Sequence, residues 1–281
     1  LAALRMQQRR YRDAADALER AARLTGGDPG ITAQMGFARL AGQQGDLGLA
    51  ALRSAFDKEP AQFKVAAALV TLYLRRNDVR NATTVADALL RRLPDDAAAN
   101  NLAGAVKAAA RRPADARAAY LKALALQPGL VPARLNLARL DVAEGRLDEA
   151  RQRLAALLKD APGNAQALTE MARLESHAGR PAAALPLLEK AQALIPGEVA
   201  SGLELLEVHQ RLGQPGAALA LAQKLVLVRP DDPVVLEALG RAHLAVGDGT
   251  PARAAFASLA RMAGPDPQYL VRVGQLQLSA G

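Results

Sequence analysis

The chain has 281 residues, of which 51% are hydrophobic but only 3% aromatic, so its core must consist mainly of alanine, leucine and valine. Alanine and leucine are strong helix formers, which argues against a sheet protein. The sequence contains no cysteine, and this excludes disulfides, zinc–thiolate sites and thiol nucleophiles. No uninterrupted apolar run reaches the length of a transmembrane helix.

The positive charge is concentrated in the first half of the chain. The net charge is +8, made up of +10 over residues 1–140 and −2 over residues 141–281. A basic half can attract an anionic partner by its electric field alone. The alternative is that these arginines only form solvated helix faces, which are common in proteins. Nucleic acid is disfavoured as the partner, because aromatic residues that would stack on bases are scarce and no nucleic-acid-binding motif is present.

The predicted elements repeat every 34 residues. Turn prolines recur at this spacing, and one further step in each direction reaches a glycine, Gly26 or Gly264. The prolines are Pro60, Pro94, Pro128, Pro162, Pro196 and Pro230. Asp–Pro pairs recur in a second phase, at Asp28-Pro29, Asp232-Pro233 and Asp266-Pro267. Aspartate before proline is typical of an N-cap followed by the first helical residue, so a helix is predicted to start at each pair.

A third recurring position marks a tight turn inside each unit. It holds Asn77, Arg111, Gly145, Gly179, Gly213 and Gly247. Glycine and asparagine readily take the left-handed conformation that ends a helix. Alanine follows five residues later in every case, at Ala82, Ala116, Ala150, Ala184, Ala218 and Ala252. Each unit is therefore predicted to be helix A, a tight turn and helix B, and such hairpins must stack to bury their apolar stripes.

These residues resemble the tetratricopeptide repeat family. Further matches are glycine in the small position of helix A, at Gly36, Gly104, Gly240 and Gly274, and the large residues Tyr120 and Phe256 in helix B. Four features depart from the family pattern. Tryptophan is absent, and the turn at Gln43–Asp46 is expected about two residues late. Val70 and Leu206 are bulky residues in the small position. Pro186 is expected to kink a helix B or to delay its start.

The resemblance implies an all-α fold, a right-handed α-solenoid formed by the whole chain. Seven complete units are predicted, with a partial unit at each end, residues 1–28 and 267–281. The complete units are 29–62, 63–96, 97–130, 131–164, 165–198, 199–232 and 233–266. Repeat arrays normally end in a polar capping helix, whereas the last residues resemble an ordinary helix A and Gly281 falls in the turn position. The sequence is therefore expected to be a fragment of a longer array.

In this family helix A lines a concave groove, in which ligand peptides usually lie. The resemblance places the partner-binding residues at Gln34, Phe37, Thr71, Arg75, Asn101, Asn136, Arg139, Glu170, Arg173, Glu204, Glu207, Arg211, Arg241 and Arg272. Arg139, Arg173 and Arg241 share one position, and this ladder has two interpretations. It binds carboxylates of a partner, or neighbouring glutamates and arginines pair with each other. The Lys/Asn pattern with which chaperone-binding relatives hold a C-terminal carboxylate is not reproduced.

No cofactor, metal site or catalytic residue is predicted. Equivalent histidines such as His209 and His243 would lie one helix pair apart, about 10 Å, which is too far to share a zinc ion. The sequence lacks the phosphate-binding glycine loop, the metalloprotease helix motif and the serine elbow of hydrolases. The carboxylate pairs Asp95-Asp96 and Asp231-Asp232 follow turn prolines, where acidic residues favour helix starts.

Three functions remain open. The first is a non-enzymatic scaffold that binds a protein or peptide segment in the groove. Its Ala-, Leu- and Arg-rich composition resembles bacterial envelope proteins, namely periplasmic arms of exopolysaccharide secretion machines and the repeat lipoprotein of exosortase (PEP-CTERM) systems, and thus favours the periplasm over the cytoplasm. The second is a substrate-selecting arm of a larger enzyme such as a glycosyltransferase. The third is a direct binder of anionic polysaccharide.

Overall fold

The computed structural model describes residues 1–262 and 267–280, and the described part of the chain is all-α, with seventeen helices and no strand. The helices are α1 (Ala2–Gln7), α2 (Tyr11–Leu24), α3 (Pro29–Ala41), α4 (Gly45–Lys58), α5 (Phe63–Arg75), α6 (Val79–Arg92), α7 (Ala97–Ala109), α8 (Pro113–Leu126), α9 (Val131–Ala143), α10 (Leu147–Asp160), α11 (Ala165–His177), α12 (Pro181–Leu194), α13 (Val199–Arg211), α14 (Pro215–Val228), α15 (Pro233–Ala245), α16 (Gly249–Met262) and α17 (Pro267–Leu278).

The chain forms two compact units, Leu1–Leu140 and Asp141–Gly281. Within each unit consecutive helices pack against each other as stacked hairpins, in the manner of a tetratricopeptide solenoid. The first helices of neighbouring hairpins also contact each other, α5 with α7 in the first unit, and α13 with both α11 and α15 in the second. In each unit the odd-numbered helices therefore form one surface, called here the first-helix face. The prediction of a single array over the whole chain stays a prediction.

Side-chain caps start many of the first helices. The N–H of Ile31 donates to Asp28 Oδ1 at 2.8 Å, and the N–H of Val234 donates to Asp232 Oδ1 at 2.9 Å. Both predicted Asp–Pro helix starts are thus confirmed, and Asp266 lies outside the described residues. Asp96, Asn164 and Glu198 cap helices at the same repeat position. The cap supplies an acceptor for a backbone N–H that has no partner within the helix.

Each tight turn holds one residue in the left-handed conformation, and these residues are 34 positions apart. They are Arg9, Gln43, Asn77, Arg111, Gly145, Gly179, Gly213 and Gly247. The predicted glycine and asparagine turns are confirmed, but the expectation of a late turn at Gln43–Asp46 is wrong. Gln43 itself takes the left-handed conformation with φ of 63°, and α4 begins at Gly45. The tertiary register of the hairpin overrides the intrinsic preference for glycine. Gly264 and Gly281 lie outside the described residues.

Residue size is complementary between the two helices of a hairpin. A Cβ atom on Gly104 would lie 2.5 Å from the Tyr120 ring, and one on Gly240 would lie 2.3 Å from the Phe256 ring. Where a large residue occupies the small position of the first helix, the residue sixteen positions later, in the second helix, is alanine. Leu206 is accompanied by Ala222 in one buried cluster, and Val70 by Ala86 in another. The two departures from the family pattern are therefore compensated within their own hairpins.

Pro186 lies inside α12 and does not delay its start. The helix begins at Pro181, where proline occupies the first turn, and runs to Leu194. Of the two expectations for Pro186, a kinked helix or a delayed helix start, the delayed start is therefore wrong. Proline at the first helical position has no N–H to satisfy and a backbone angle suited to a helix, so Pro181 supplies the start signal. The Pro186 side chain is exposed.

Candidate partner-binding face

In the first unit, amide side chains link neighbouring first helices on the predicted groove surface. The Asn136 amide on α9 donates to Asn101 Oδ1 on α7 at 3.0 Å, and Arg139 donates to Asn136 Oδ1 at 3.2 Å. The earlier predicted residues are not joined to one another by hydrogen bonds among the described residues. Gln34, Thr71 and Arg75 are exposed, and Phe37 packs at the border of a buried cluster.

In the second unit, Arg173 on α11 connects two carboxylates. It donates to Glu170 on the same helix at 3.1 Å and to Glu204 on α13 at 2.7 Å. Burial alone would lower the pKa of the Arg173 guanidinium, but the two carboxylates outweigh burial and raise this pKa above its ordinary value. Arg211 pairs with Glu207 on its own helix and donates to the backbone carbonyl of Ser176 on α11 at 3.2 Å. These five charged residues are called here the Arg173 network.

Further along the same face, one carboxylate holds two arginines. Glu237 Oε1 accepts from Arg241 on α15 at 2.9 Å and from Arg272 on α17 at 2.7 Å. The arginine side chains are 55% and 58% exposed, whereas that of Glu237 is 15% exposed. These three residues are called here the Glu237 network. Glu237 is not among the residues predicted from the sequence, although its position four residues before Arg241 is the spacing of a helical ion pair.

A pocket of about 420 Å³ opens beside the Glu237 network. It is lined by the three network residues and by Leu203, Pro233, Val234, Ala238 and Tyr269. Val234 is exposed although it is a large hydrophobic residue. A concave site that combines an apolar wall with a few convergent polar groups has the composition of a ligand-binding site.

The second interpretation of the arginine ladder, internal pairing, describes its members in the second unit. Arg173 and Arg241 are each held by glutamates of this chain. Their pairs are partly exposed, and such pairs are weak, so they remain open to exchange with a partner's charges. The assignment of the predicted residues to a partner-binding groove stays a prediction.

Basic side chains also gather on another surface of the first unit, along the tight turns of the hairpins. Neighbouring turns touch there, since Arg76 of one turn pairs with Asp46 beside the preceding turn at 2.7 Å. This turn edge carries exposed arginines that have no carboxylate within ion-pair distance among the described residues, namely Arg9, Arg12 and Arg111, together with Arg75 at the end of α5, which also belongs to the predicted groove residues. A cavity of about 420 Å³ lies between the first two turns and is lined by Arg9, Arg10 and Arg12.

In the second unit, polar side-chain contacts join the last turn of a first helix to the residue just before the following second helix. Asp141 pairs with Arg146 at 3.3 Å, and Glu175 pairs with Arg180 at 2.6 Å. The equivalent pair in the next hairpin is His209 with Gln214, whose side-chain atoms lie 2.8 Å apart. Among the described residues, no group of three or more His, Asp or Glu side chains is arranged to hold a metal ion.

Two family models match the sequence, both described as tetratricopeptide repeat. One matches residues 107–174 and 177–238, and the other matches residues 67–131. Together they cover more than half of the chain. The chain belongs to the tetratricopeptide repeat family. None of the curated protein sequences matches it significantly.

Solved structures share this tetratricopeptide fold at low sequence identity. Yeast Tom70 superposes with a TM-score of 0.80 at 15% identity over 96% of this chain and 58% of its own. A tetratricopeptide repeat protein from Parabacteroides merdae gives a TM-score of 0.61 at 15% identity, over 90% of this chain and 98% of its own. PilF of Pseudomonas aeruginosa gives 0.56 at 20% identity, over 76% of this chain and 96% of its own.

Membership of this family carries a general function. Tetratricopeptide repeat proteins generally mediate protein–protein interaction by binding protein or peptide partners, and the fold is that of a scaffold, generally without enzymatic activity. Within the part of the chain that the structure describes, no helix combines the length and apolarity needed to cross a bilayer.

Proposed function

We propose that this tetratricopeptide protein is a non-enzymatic scaffold that binds an extended protein segment on its first-helix face. The observation that carries the proposal is the Glu237 network with its adjoining pocket, where half-exposed arginines meet an apolar wall on neighbouring first helices. An extended segment lying across these helices would place alternate side chains in such a site, as strands do when they add to a surface.

The proposed setting is assembly of the bacterial envelope or of exopolysaccharide, with the protein in the periplasm. Its support is the Ala-, Leu- and Arg-rich composition of the repeats. The alternative setting is the substrate-selecting arm of a larger enzyme such as a glycosyltransferase. Cell fractionation tests the periplasmic location, and a catalytic domain joined to the repeats in the same polypeptide would favour the enzyme arm.

A photo-crosslinking experiment tests the binding surface. A benzophenone amino acid is placed at Thr71 or at Arg241, which are exposed on first helices, and for comparison at Thr84 or Gln152, which are exposed on second helices. We expect the physiological partner to be crosslinked from the first two positions and not from the other two, because only the first two face the bound segment. Equal crosslinking from Thr84 and Gln152 would reject the first-helix face as the binding surface.

A second candidate function, binding of anionic polysaccharide, is favoured by the turn edge of the first unit. Four exposed arginines that make no ion pair with a described carboxylate lie at the first, third and fourth tight turns, and the half of the chain that contains them has a net charge of +10. Such a strip can follow a linear polyanion without a deep pocket, because the attraction depends on the field rather than on shape.

Titration with an anionic glycan such as alginate tests this candidate. We expect binding at an ionic strength of about 0.01 M that is mostly lost at about 0.15 M, because salt screens exposed charges.

The variant Arg9→Gly/Arg111→Gly should bind several-fold more weakly while remaining folded. Both positions have positive φ, near 58° and 57°, which glycine adopts without strain. The matched control Arg20→Gln/Arg91→Gln removes the same charge away from the turns. An equal loss in the control would attribute binding to net charge, and no binding at low salt would eliminate the candidate.

A further inference from the structure

The first two tight turns of the chain differ in charge, although they occupy the same repeat position. Residues 9–12 of the first turn have the sequence RRYR, whereas the equivalent residues 43–46 of the second turn have the sequence QQGD. Glutamine takes the left-handed conformation at Gln43 with φ of 63°, close to the 58° of Arg9. The repeat architecture therefore does not require arginine at the first turn.

The ion pair that joins the second turn to the third is not possible between the first turn and the second. Asp46 pairs with Arg76 at 2.7 Å, and the equivalent residues one repeat earlier are Arg12 and Gly42. These two positions are also close together, because a Cβ atom on Gly42 would lie 3.5 Å from Arg12 Cγ. A guanidinium thus stands where the pair has its carboxylate, and the glycine opposite has no side chain to fill the space.

The cavity of about 420 Å³ between the first two turns has a positively charged lining. Its charged residues are three arginines, Arg9, Arg10 and Arg12, and one carboxylate, Asp13, which gives +2. Asp13 pairs with Arg10 at 2.7 Å. No carboxylate of the described residues lies within ion-pair distance of Arg9 or Arg12. Arg5 lies beside the cavity and donates to the backbone carbonyl of Asp13 at 2.9 Å, so it adds a further positive charge.

The charge and the donors of this lining fit a phosphate group. A phosphate monoester carries about two negative charges at neutral pH and offers three strong acceptor oxygens. A guanidinium presents its N–H groups in a planar fork that matches two oxygens of a phosphate. A carboxylate carries one charge, so it would compensate only half of the +2 of the lining. A dianionic phosphate compensates all of it.

We propose that the cavity between the first two tight turns is a binding site for a phosphate group, with Arg9 and Arg12 as its principal donors. The bound anion takes the place between the turns that the pair of Asp46 and Arg76 takes one repeat later. The recognised group is the one that small phosphate esters and phosphorylated side chains have in common. This inference goes beyond the proposed function, because the site lies on the turn edge and not on the first-helix face. It also differs from attraction of a polyanion by charge alone, because it requires selectivity for phosphate.

Isothermal titration calorimetry of the 281-residue chain tests the site. The phosphate probes are inorganic phosphate, glycerol phosphate and an acetylated, amidated phosphoserine peptide, and glycerate is the carboxylate of similar size to glycerol phosphate. The ionic strength is held at about 0.05 M, so that screening is the same in every titration. We expect at least one phosphate probe to bind about tenfold more tightly than glycerate, because an additional charge-assisted hydrogen bond contributes at least about this factor. Tighter binding of glycerol phosphate or of the peptide identifies the source of the phosphate.

A pair of matched variants separates the site from the net charge of the protein. Arg9→Gln/Arg12→Gln should weaken phosphate binding about tenfold or more, because it removes the two cations that have no internal carboxylate. The turn should stay intact, since glutamine already takes the left-handed conformation at Gln43. Arg20→Gln/Arg91→Gln removes the same charge from exposed positions outside the tight turns and should bind phosphate as the unchanged chain does.

A third variant places an internal carboxylate in the proposed site. Gly42→Glu introduces this group beside Arg12, where it should pair with the guanidinium and abolish phosphate binding by competition. Circular dichroism and chemical denaturation check that this variant is folded, because a Cβ atom on Gly42 would also lie 3.3 Å from Tyr11 Cβ.

The outcomes separate this inference from the proposed function. Equal affinity for phosphate and glycerate, binding of no phosphate probe, or an equal loss in both glutamine variants would overturn the site. Unchanged phosphate binding by a folded Gly42→Glu variant would overturn it as well, because the anion would then lie outside the cavity. Failure of the proposed function appears instead in the crosslinking experiment, as capture of the partner from second-helix positions.

Discussion

Gly240→Leu is expected to lower the free energy of unfolding by about 3 kcal/mol, and Phe256→Ala by about 3–5 kcal/mol, whereas the double variant should lose less than about 1.5 kcal/mol. A Cβ atom on Gly240 would lie 2.3 Å from the Phe256 ring, and that ring is fully buried, so each single change either overfills or empties the same space. The double variant reproduces the Leu206 and Ala222 pair that the preceding hairpin already contains.

Chemical denaturation followed by circular dichroism measures these changes. Gly274→Leu is the matched control, because Gly274 occupies the same repeat position and a Cβ atom there would meet nothing within 4 Å. We expect this control to be neutral or slightly stabilising, since leucine is a better helix former than glycine. Additive losses in the Gly240→Leu/Phe256→Ala variant would contradict size complementarity as the rule that pairs the two helices of a hairpin.

This complementarity shows what could be predicted of the fold from the sequence. The spacing of prolines, turn residues and alanines predicted the hairpins, because a fixed period reports the repeat itself rather than the preference of any one residue. Predictions from single residues were weaker. Gln43 occupies the left-handed turn position without being glycine, and Pro186 lies within α12. In both places the packing of neighbouring hairpins outweighs local propensity.

The candidate site was less predictable than the fold. The repeat phase indicated which residues share a face, so Arg173, Arg241 and Arg272 were named. It did not indicate their partners, because the ion pairs join residues of neighbouring repeats, such as Arg272 with Glu237 and Arg173 with Glu204. The composition of each network depends on which side chains of two neighbouring helices come within ion-pair distance of each other. That is a property of side-chain geometry, which the sequence period does not contain.

Removing both partners of Glu175 is expected to destabilise its hairpin far more than removing its charge. The Glu175 side chain is 11% exposed and accepts from Arg151 on α10 at 2.9 Å and from Arg180 at 2.6 Å. Arg151→Met/Arg180→Met leaves a buried carboxylate unpaired, which costs about 3–5 kcal/mol. Glu175→Gln should cost only about 1–2 kcal/mol, because the arginine side chains are 31% and 49% exposed and can turn to water.

Amide hydrogen exchange in α11 and α12 measures the effect where it arises, since repeat arrays open locally. The triple variant Arg151→Met/Glu175→Leu/Arg180→Met should recover most of the loss, because a buried ion network replaced by apolar side chains of similar size is often neutral or stabilising. Arg10→Met is the comparison on the surface, where the pair with Asp13 is well exposed and should contribute less than about 1 kcal/mol. If the triple variant exchanged as fast as the double variant, the loss would come from packing of the arginine side chains over the turn, and the unpaired carboxylate would not be its cause.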